Sequence, residues 1–187
     1  TLARPLGSGE MAARVGAVFQ AAQDETALMR DLRLLRQREM MRIVWRDLSG
    51  EASLDETLGD LTDLAEHCID QAAAWVHGQL IQRHGEPRDA EGRPQRLVVL
   101  GMGKLGGREL NFSSDVDLIF TYPARGESDG EKPLDNQQFF IRLGQRLIRL
   151  LDENTAEGFV FRVDMRLRPF GDAGPLAMDF DTLEGYY

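Results

Sequence analysis

Between Arg96 and Tyr122 the chain reads RLVVLGMGKLGGRELNFSSDVDLIFTY, two apolar runs separated by a glycine-rich turn. Leu97 to Leu100 have the apolar character of a strand covered on both faces. Gly101, Gly103, Gly106 and Gly107 then remove side chains where a backbone can approach a ligand closely. A short helical link leads into a second strand with Asp115 and Asp117 at its mouth. On a strand that spacing puts both carboxylates on one face, with Val116, Leu118 and Phe120 on the other. Two carboxylates so close repel each other unless a cation lies between them or one is protonated. Hard oxygen ligands beside a phosphate-sized glycine turn point to magnesium and a nucleotide.

The second informative stretch is FVFRVDMRLRP, residues 159–169. Phe159, Phe161, Val163, Met165 and Leu167 alternate with Val160, Arg162, Asp164, Arg166 and Arg168, as a strand with one apolar face requires. The polar face carries one aspartate flanked by arginines, and Pro169 ends the run.

The glycine turn matches G-x-G-x-x-G after a strand, which raises a dinucleotide-binding fold. Against it, a further glycine follows at 107 and the next strand arrives too soon for a crossover helix. A Walker A loop needs G-K-[ST], and here Lys104 is followed by Leu105. A metal-dependent nucleotidyl-transfer site needs a turn that cradles phosphates, two neighbouring carboxylates and a third from an adjacent strand. Asp115, Asp117 and Asp164 supply that set as candidate catalytic residues and metal ligands. Backbone N–H groups from Gly101 to Gly103, with the hydroxyls of Ser113 or Ser114, are candidates to hold phosphate oxygens. Arg166 and Arg168 fall on the Asp164 face and suit bidentate phosphate binding, with Lys104 a weaker candidate; ion pairing with neighbouring aspartates is the alternative for the arginines.

The rest of the chain is mostly helical. Thr1 to Glu10 read as a loose lead-in, and residues 11–48 as helix with a break near Gln23 and Asp24. Leu28, Leu32 and Leu35 begin an apolar stripe that Met41, Val44, Trp45 and Leu48 continue at helical spacing. The arginines at 30, 33, 36, 38, 42 and 46 are expected on a solvated face. Ser53 with Glu56 forms a capping box, opening a helix whose buried stripe runs from Leu54 to Leu80 and which ends near His84 and Gly85. His67, His77 and His84 lack partners for a metal site and read as helix-surface or satisfied core histidines. Residues 85–94 are a polar linker, so the chain divides into a helical part and linker, 1–94, and a mixed catalytic part, 95–187. Pro123 to Pro133 reads as a polar loop, and Asp135 with Gln138 caps an amphipathic helix through Leu151. Asp179 or Asp181 caps a last one.

Charge limits the partners. With 31 acidic against 22 basic residues, and no basic groove interleaved with aromatics, nucleic acid is not an expected partner. The single cysteine, Cys68, sits in a helical pattern and suits a core position in a reducing, cytoplasmic compartment. No apolar run approaches a membrane span and no signal peptide is visible; the limits of the chain suggest a fragment of something larger.

GMGKLGGRELNFSSDVDLIF followed by FVFRVDMRLRPFGDAGPL resembles the glutamine synthetase adenylyltransferase, or adenylyl-removing, family. The likeness is dense from Leu97 to Leu176, and the preceding helices fit the family's helical lead-in. The resemblance implies an α+β fold of the DNA polymerase β-like nucleotidyltransferase type, with a mixed sheet and a helical N-terminal part. It also implies two magnesium ions on Asp115, Asp117 and Asp164, glutamine synthetase as protein substrate, and phosphate with ADP or ATP as small substrates. Regulation by nitrogen-signalling PII proteins comes with the resemblance alone. Such enzymes have two similar halves, and NFSSDVDLIF with RLRPFGDAGPL is more similar to the half that removes AMP by phosphorolysis. The alternatives are the half that attaches AMP, and a non-catalytic nucleotide-binding module of the same fold.

Overall fold

Four aspartate or serine caps set the starts of the principal helices. The structure, a computed structural model, describes residues 4–7 and 9–187, so residues 1–3 and Ser8 of the lead-in lie outside the described residues. Helix α1 (Glu10–Ala21) ends before Asp24, whose side chain accepts the Ala27 N–H at 2.7 Å and opens α2 (Glu25–Leu48). The break therefore falls where the sequence placed it. Ser53 accepts the Glu56 N–H at 3.2 Å and opens the 31-residue α3 (Leu54–His84). Asp135 likewise caps α5 (Asn136–Asp152), and Asp179 caps α6 (Phe180–Tyr186). Satisfying one otherwise orphaned N–H at each start contributes about 1 kcal/mol.

Between them lie β1 (Pro87–Asp89), β2 (Val98–Met102), the one-turn α4 (Gly103–Gly106), β3 (Val116–Tyr122) and β4 (Gly126–Ser128). After α5 come β5 (Val163–Asp164) and β6 (Ala177–Asp179). Strand β3 is the centre of a mixed four-stranded sheet: β2 pairs antiparallel along one edge, and β5 and β6 share the other edge in parallel. The result is the expected α+β architecture with a mixed sheet.

The apolar face of β3, Val116, Leu118, Phe120 and Tyr122, is buried under α5, where Phe139, Phe140, Leu143, Leu147, Leu150 and Leu151 are fully buried. Tyr122 stacks on Phe140 with ring centroids 4.7 Å apart. One cluster of buried side chains continues from here into Leu61, Leu64, Ala65, Cys68, Ala72 and Val76 of α3, and on to Val15 of α1 and Leu28 of α2. Among the described residues no helix is long and apolar enough to cross a membrane.

Several expectations are corrected. Strand β2 is an edge strand, and Leu100 is 37% exposed rather than covered on both faces. Residues 85–94 are more than a linker, because Pro87–Asp89 pair antiparallel with β4, which lies inside the loop expected at 123–133. Leu54 stands outside the buried stripe of α3. The alternation at 159–168 yields only the two paired residues of β5: the Arg166 N–H turns back onto the Asp164 side chain at 2.8 Å, ending the ladder. Val160 is buried and Leu167 is half exposed, the reverse of strict alternation.

Helix α2 departs most. Met41, Trp45 and Leu48 are exposed, while Arg33, Arg42 and Arg46 are buried. Arg42 pairs with buried Glu39 at 2.9 Å and with Asp60 at 2.8 Å, Arg14 reaches Glu39 at 2.6 Å, and Arg46 reaches Glu56 at 2.8 Å. The buried face of α2 thus combines Leu28, Met29, Leu32 and Ile43 with a charge network, which hydropathy spacing alone does not register.

Candidate functional site

The first paired residue of β3 after the chain turns in is Val116, so Asp115 and Asp117 flank it on the face away from α5. In the parallel pairing with β5, Asp117 lies opposite Asp164, and residues in such register share a face. On the other side Asp117 lies opposite Met102, the last residue of β2 before the glycine turn. Gly103 has φ +54, and a Cβ there would stand 3.1 Å from Asp117 Oδ2. The missing side chain is what lets the turn come so close to the carboxylate. Gly101 has a different reason: it faces the Leu118 side of the sheet, and a Cβ would meet Leu105 at 3.0 Å.

The charges respond to this crowding. Burial, then the negative charges of Asp164 and Asp115, push the Asp117 carboxyl above its ordinary range, with Arg166 opposing. Arg166 holds Asp164 below its ordinary range by side-chain and backbone hydrogen bonds, the guanidinium gripping both carboxylate oxygens. Asp115 is held by Arg162, whose Nε donates at 2.5 Å while its Nη2 donates to the Ser113 carbonyl at 2.8 Å. Each carboxylate at the rim thus has its own arginine. Asp117, between them, has no hydrogen-bond partner among the described residues.

The donor chemistry fits a hard divalent cation: carboxylate oxygens from two strands, a mutual repulsion a cation would relieve, and a backbone bend without a side chain beside Asp117. Among the described residues no three acidic, histidine or cysteine side chains are already gathered as a metal cage. Arg162 and Arg166 occupy Asp115 and Asp164 as counter-charges instead.

Of the other candidates, Lys104 is exposed at the start of α4. Ser114 Oγ donates to Asn111 Oδ1 at 2.7 Å, closing the turn before β3. Arg168 does not join Arg166 on Asp164; it donates to the Met165 carbonyl at 2.7 Å and to Asp172 at 3.2 Å. Two residues near the site were not singled out from the sequence. Arg162 was visible in the alternation, two positions before Asp164. Arg36 comes from α2, where no local signal links it to the aspartates.

Across residues 1–187 the chain matches the family described as glutamate-ammonia ligase adenylyltransferase. It is 94% identical over 187 residues, all of this chain, to the bifunctional glutamine synthetase adenylyltransferase/adenylyl-removing enzyme of Thioalkalivibrio sulfidiphilus, covering 19% of that protein. Proteins of the same name from Nitrosococcus oceani (60% identical over 165 residues, 87% of this chain and 17% of the relative) and Shewanella loihica (52% over 183 residues, 97% and 19%) are also similar. The chain spans about a fifth of the length of these curated relatives. A match along its whole length, together with the acidic β3–β5 junction beside a glycine turn, means that the chain belongs to the glutamate-ammonia ligase adenylyltransferase family.

Proposed function

We propose that this chain carries a metal-dependent nucleotidyltransferase core that removes AMP from an adenylyl-tyrosine of glutamine synthetase by phosphorolysis. The observation that carries this reading is the register of Asp117 against Asp164 beside the left-handed Gly103. The names of the relatives support the protein substrate, and NFSSDVDLIF with RLRPFGDAGPL supports the removing direction.

In that reaction an oxygen of inorganic phosphate forms a bond to the α-phosphorus. The bond from that phosphorus to the tyrosine oxygen breaks, the phenolate takes up a proton, and ADP leaves. Such transfers ask a protein mainly for positioning and charge neutralisation. Asp115, Asp117 and Asp164 would hold two magnesium ions, which when bound neutralise charge on the attacking and leaving oxygens. Arg166 orients the Asp164 carboxylate, and the backbone of Gly101–Gly103 and Lys104 would meet phosphate oxygens, joined by the Ser113 and Ser114 hydroxyls where they turn away from Asn111 Oδ1.

The chain is incubated with adenylylated glutamine synthetase, magnesium and phosphate, and ADP is measured. Phosphate-dependent ADP that disappears with a chelator and in Asp164→Asn is the expected result. No ADP, or ADP that persists in that variant, overturns the reading. The bifunctional name of the relatives favours one second reading, transfer of AMP from ATP to a tyrosine, which AMP incorporation into unmodified glutamine synthetase would reveal.

A further inference from the structure

Arg36 is a cation without a counter-charge. Its Nε is buried with no partner, and its guanidinium has no hydrogen bond or ion pair among the described residues. The group is partly desolvated, and the ring of Phe159 lies 5.3 Å from its centre. The same ring lies 5.8 Å from the guanidinium of Arg162, the arginine that holds Asp115. Two guanidinium groups therefore converge on one aromatic ring, where cation–π attraction offsets only part of their mutual repulsion.

Both arginines line a cavity of about 50 Å³ with Asn111, Ser113 and Ser114. No carboxylate lines it. Asn111 Oδ1 accepts from Ser114 Oγ at 2.7 Å and from the Ser113 N–H at 3.3 Å, so its amide nitrogen is uncommitted among the described residues. The space is of the order that a few waters or one small tetrahedral oxyanion occupy. Helix α2 holds Arg36 rigidly against this place. One turn earlier Arg33 Nε donates to the Gly158 carbonyl at 2.7 Å, and one residue later Gln37 donates to the Glu157 carbonyl at 2.7 Å.

We infer that Arg36, with Arg162 and the Asn111 amide, forms a phosphate subsite beside Asp115. This rests on the phosphorolysis reading for its purpose, since a phosphate held there would share Arg162 with Asp115, one of the carboxylates of the transfer site. The shared chemistry is a phosphate group, supplied either as the free ion or as a phosphoryl group of a nucleotide; phosphorolysis calls for the free ion. A half-buried arginine and an amide make charge-assisted and neutral hydrogen bonds that a phosphate dianion can accept together.

The test is a titration of the chain with inorganic phosphate, without metal, following the Arg Nε–H and Asn side-chain resonances by NMR at constant ionic strength. Phosphate should move the Arg36 and Asn111 signals saturably, and Arg36→Met, which keeps the stem on Phe159, should weaken binding by about tenfold or more. Arg36→Lys should recover part of it, and Arg30→Met, on an exposed part of the same helix, should change nothing. Circular dichroism establishes that Arg36→Met is folded; should it not be, the wild-type shifts and Arg36→Lys decide. Absence of saturable shifts at Arg36, or equal affinity in Arg36→Met, overturns the subsite. Shifts produced by ADP but not by phosphate overturn the free-ion assignment. A chain that makes no ADP yet binds phosphate through Arg36 sinks phosphorolysis and leaves the subsite. ADP formation with an unchanged KM for phosphate in Arg36→Met sinks the subsite and leaves phosphorolysis.

Discussion

Arg33 Nε donates to the carbonyl of Gly158 at 2.7 Å, joining residues 125 positions apart. The same guanidinium serves the carbonyls of Met29 at 2.9 Å, Leu150 at 3.2 Å and Glu153. It therefore ties α2 to the end of α5 and to the turn that leads into β5. Arg33 is fully buried, and two of the carbonyls it satisfies, those of Met29 and Leu150, are buried with it.

Arg33→Met should therefore cost roughly 2–5 kcal/mol, because it removes four hydrogen bonds at once, two of them to buried carbonyls. Urea denaturation followed by circular dichroism measures this. A loss below about 0.5 kcal/mol, the range of an ordinary surface change, would show that the clamp is unimportant.

Asp117 sits where two neighbouring carboxylates disfavour its charge. Its folded pKa is raised above the unfolded value, so the protonated form is the stabilised one. The associated stability is present below the ordinary Asp range and is lost as pH rises through the raised pKa. Asp117→Asn should thus raise the melting temperature at pH 7 without metal, with the gain fading toward pH 3. Solvent screening keeps the gain small, on the order of 1–2 °C. The same change should abolish metal-dependent activity. A variant less stable than wild type at pH 7 would contradict the electrostatic account.

At Gly103, a methyl group meets both an unfavourable φ of +54 and the Asp117 carboxylate at 3.1 Å. Gly103→Ala should cost about 1–2 kcal/mol in backbone strain. A displaced turn should also lower the proposed phosphorolysis by about a hundredfold, since a misplacement near 1 Å has that scale of effect. Full activity in a folded Gly103→Ala protein would show that the turn does not position the reacting groups.

What was legible in the sequence was local. The helix caps at Ser53 and Asp135 can be read because cap and partner lie three residues apart. The D-x-D spacing and the strand period place Asp115 and Asp117 together for the same reason. The parallel register that sets Asp164 opposite Asp117 is a long-range pairing that periodicity does not specify; the carboxylate set a nucleotidyl-transfer site needs, and then the resemblance, anticipated it. The burial of Arg33, Arg42 and Arg46 was missed because arginine at helical spacing looks like a solvated face until its carboxylate and carbonyl partners arrive from other elements. Arg168 was misplaced because the strand stops at Asp164, so alternation no longer governs where later side chains point.

His77 gives the helical part its own pH response. Arg96 Nη1 donates to His77 Nε2 at 2.8 Å, so the neutral ring carries its proton on Nδ1, which is buried without a partner. Phe139 and Phe140 pack on the ring at 5.4 and 6.5 Å, and Glu86 stands 3.4 Å from Nε2. Burial first, then the Arg96 charge, lowers the pKa below the ordinary 6.5, with Glu86 opposing. A histidine with a lowered folded pKa contributes stability above the unfolded value, which is lost as pH falls through the folded one. The wild-type chain should therefore lose stability from about pH 6.5 downward in part through this ring, and His77→Phe should flatten that slope. The difference between the two proteins, taken from urea midpoints at pH 7 and pH 5, should reach at most about 1 kcal/mol after solvent screening. Carboxylates elsewhere titrate equally in both, so they cancel in the comparison. Parallel slopes for wild type and variant would mean that the ring takes up its proton alike in the folded and unfolded chain, and would overturn the burial account.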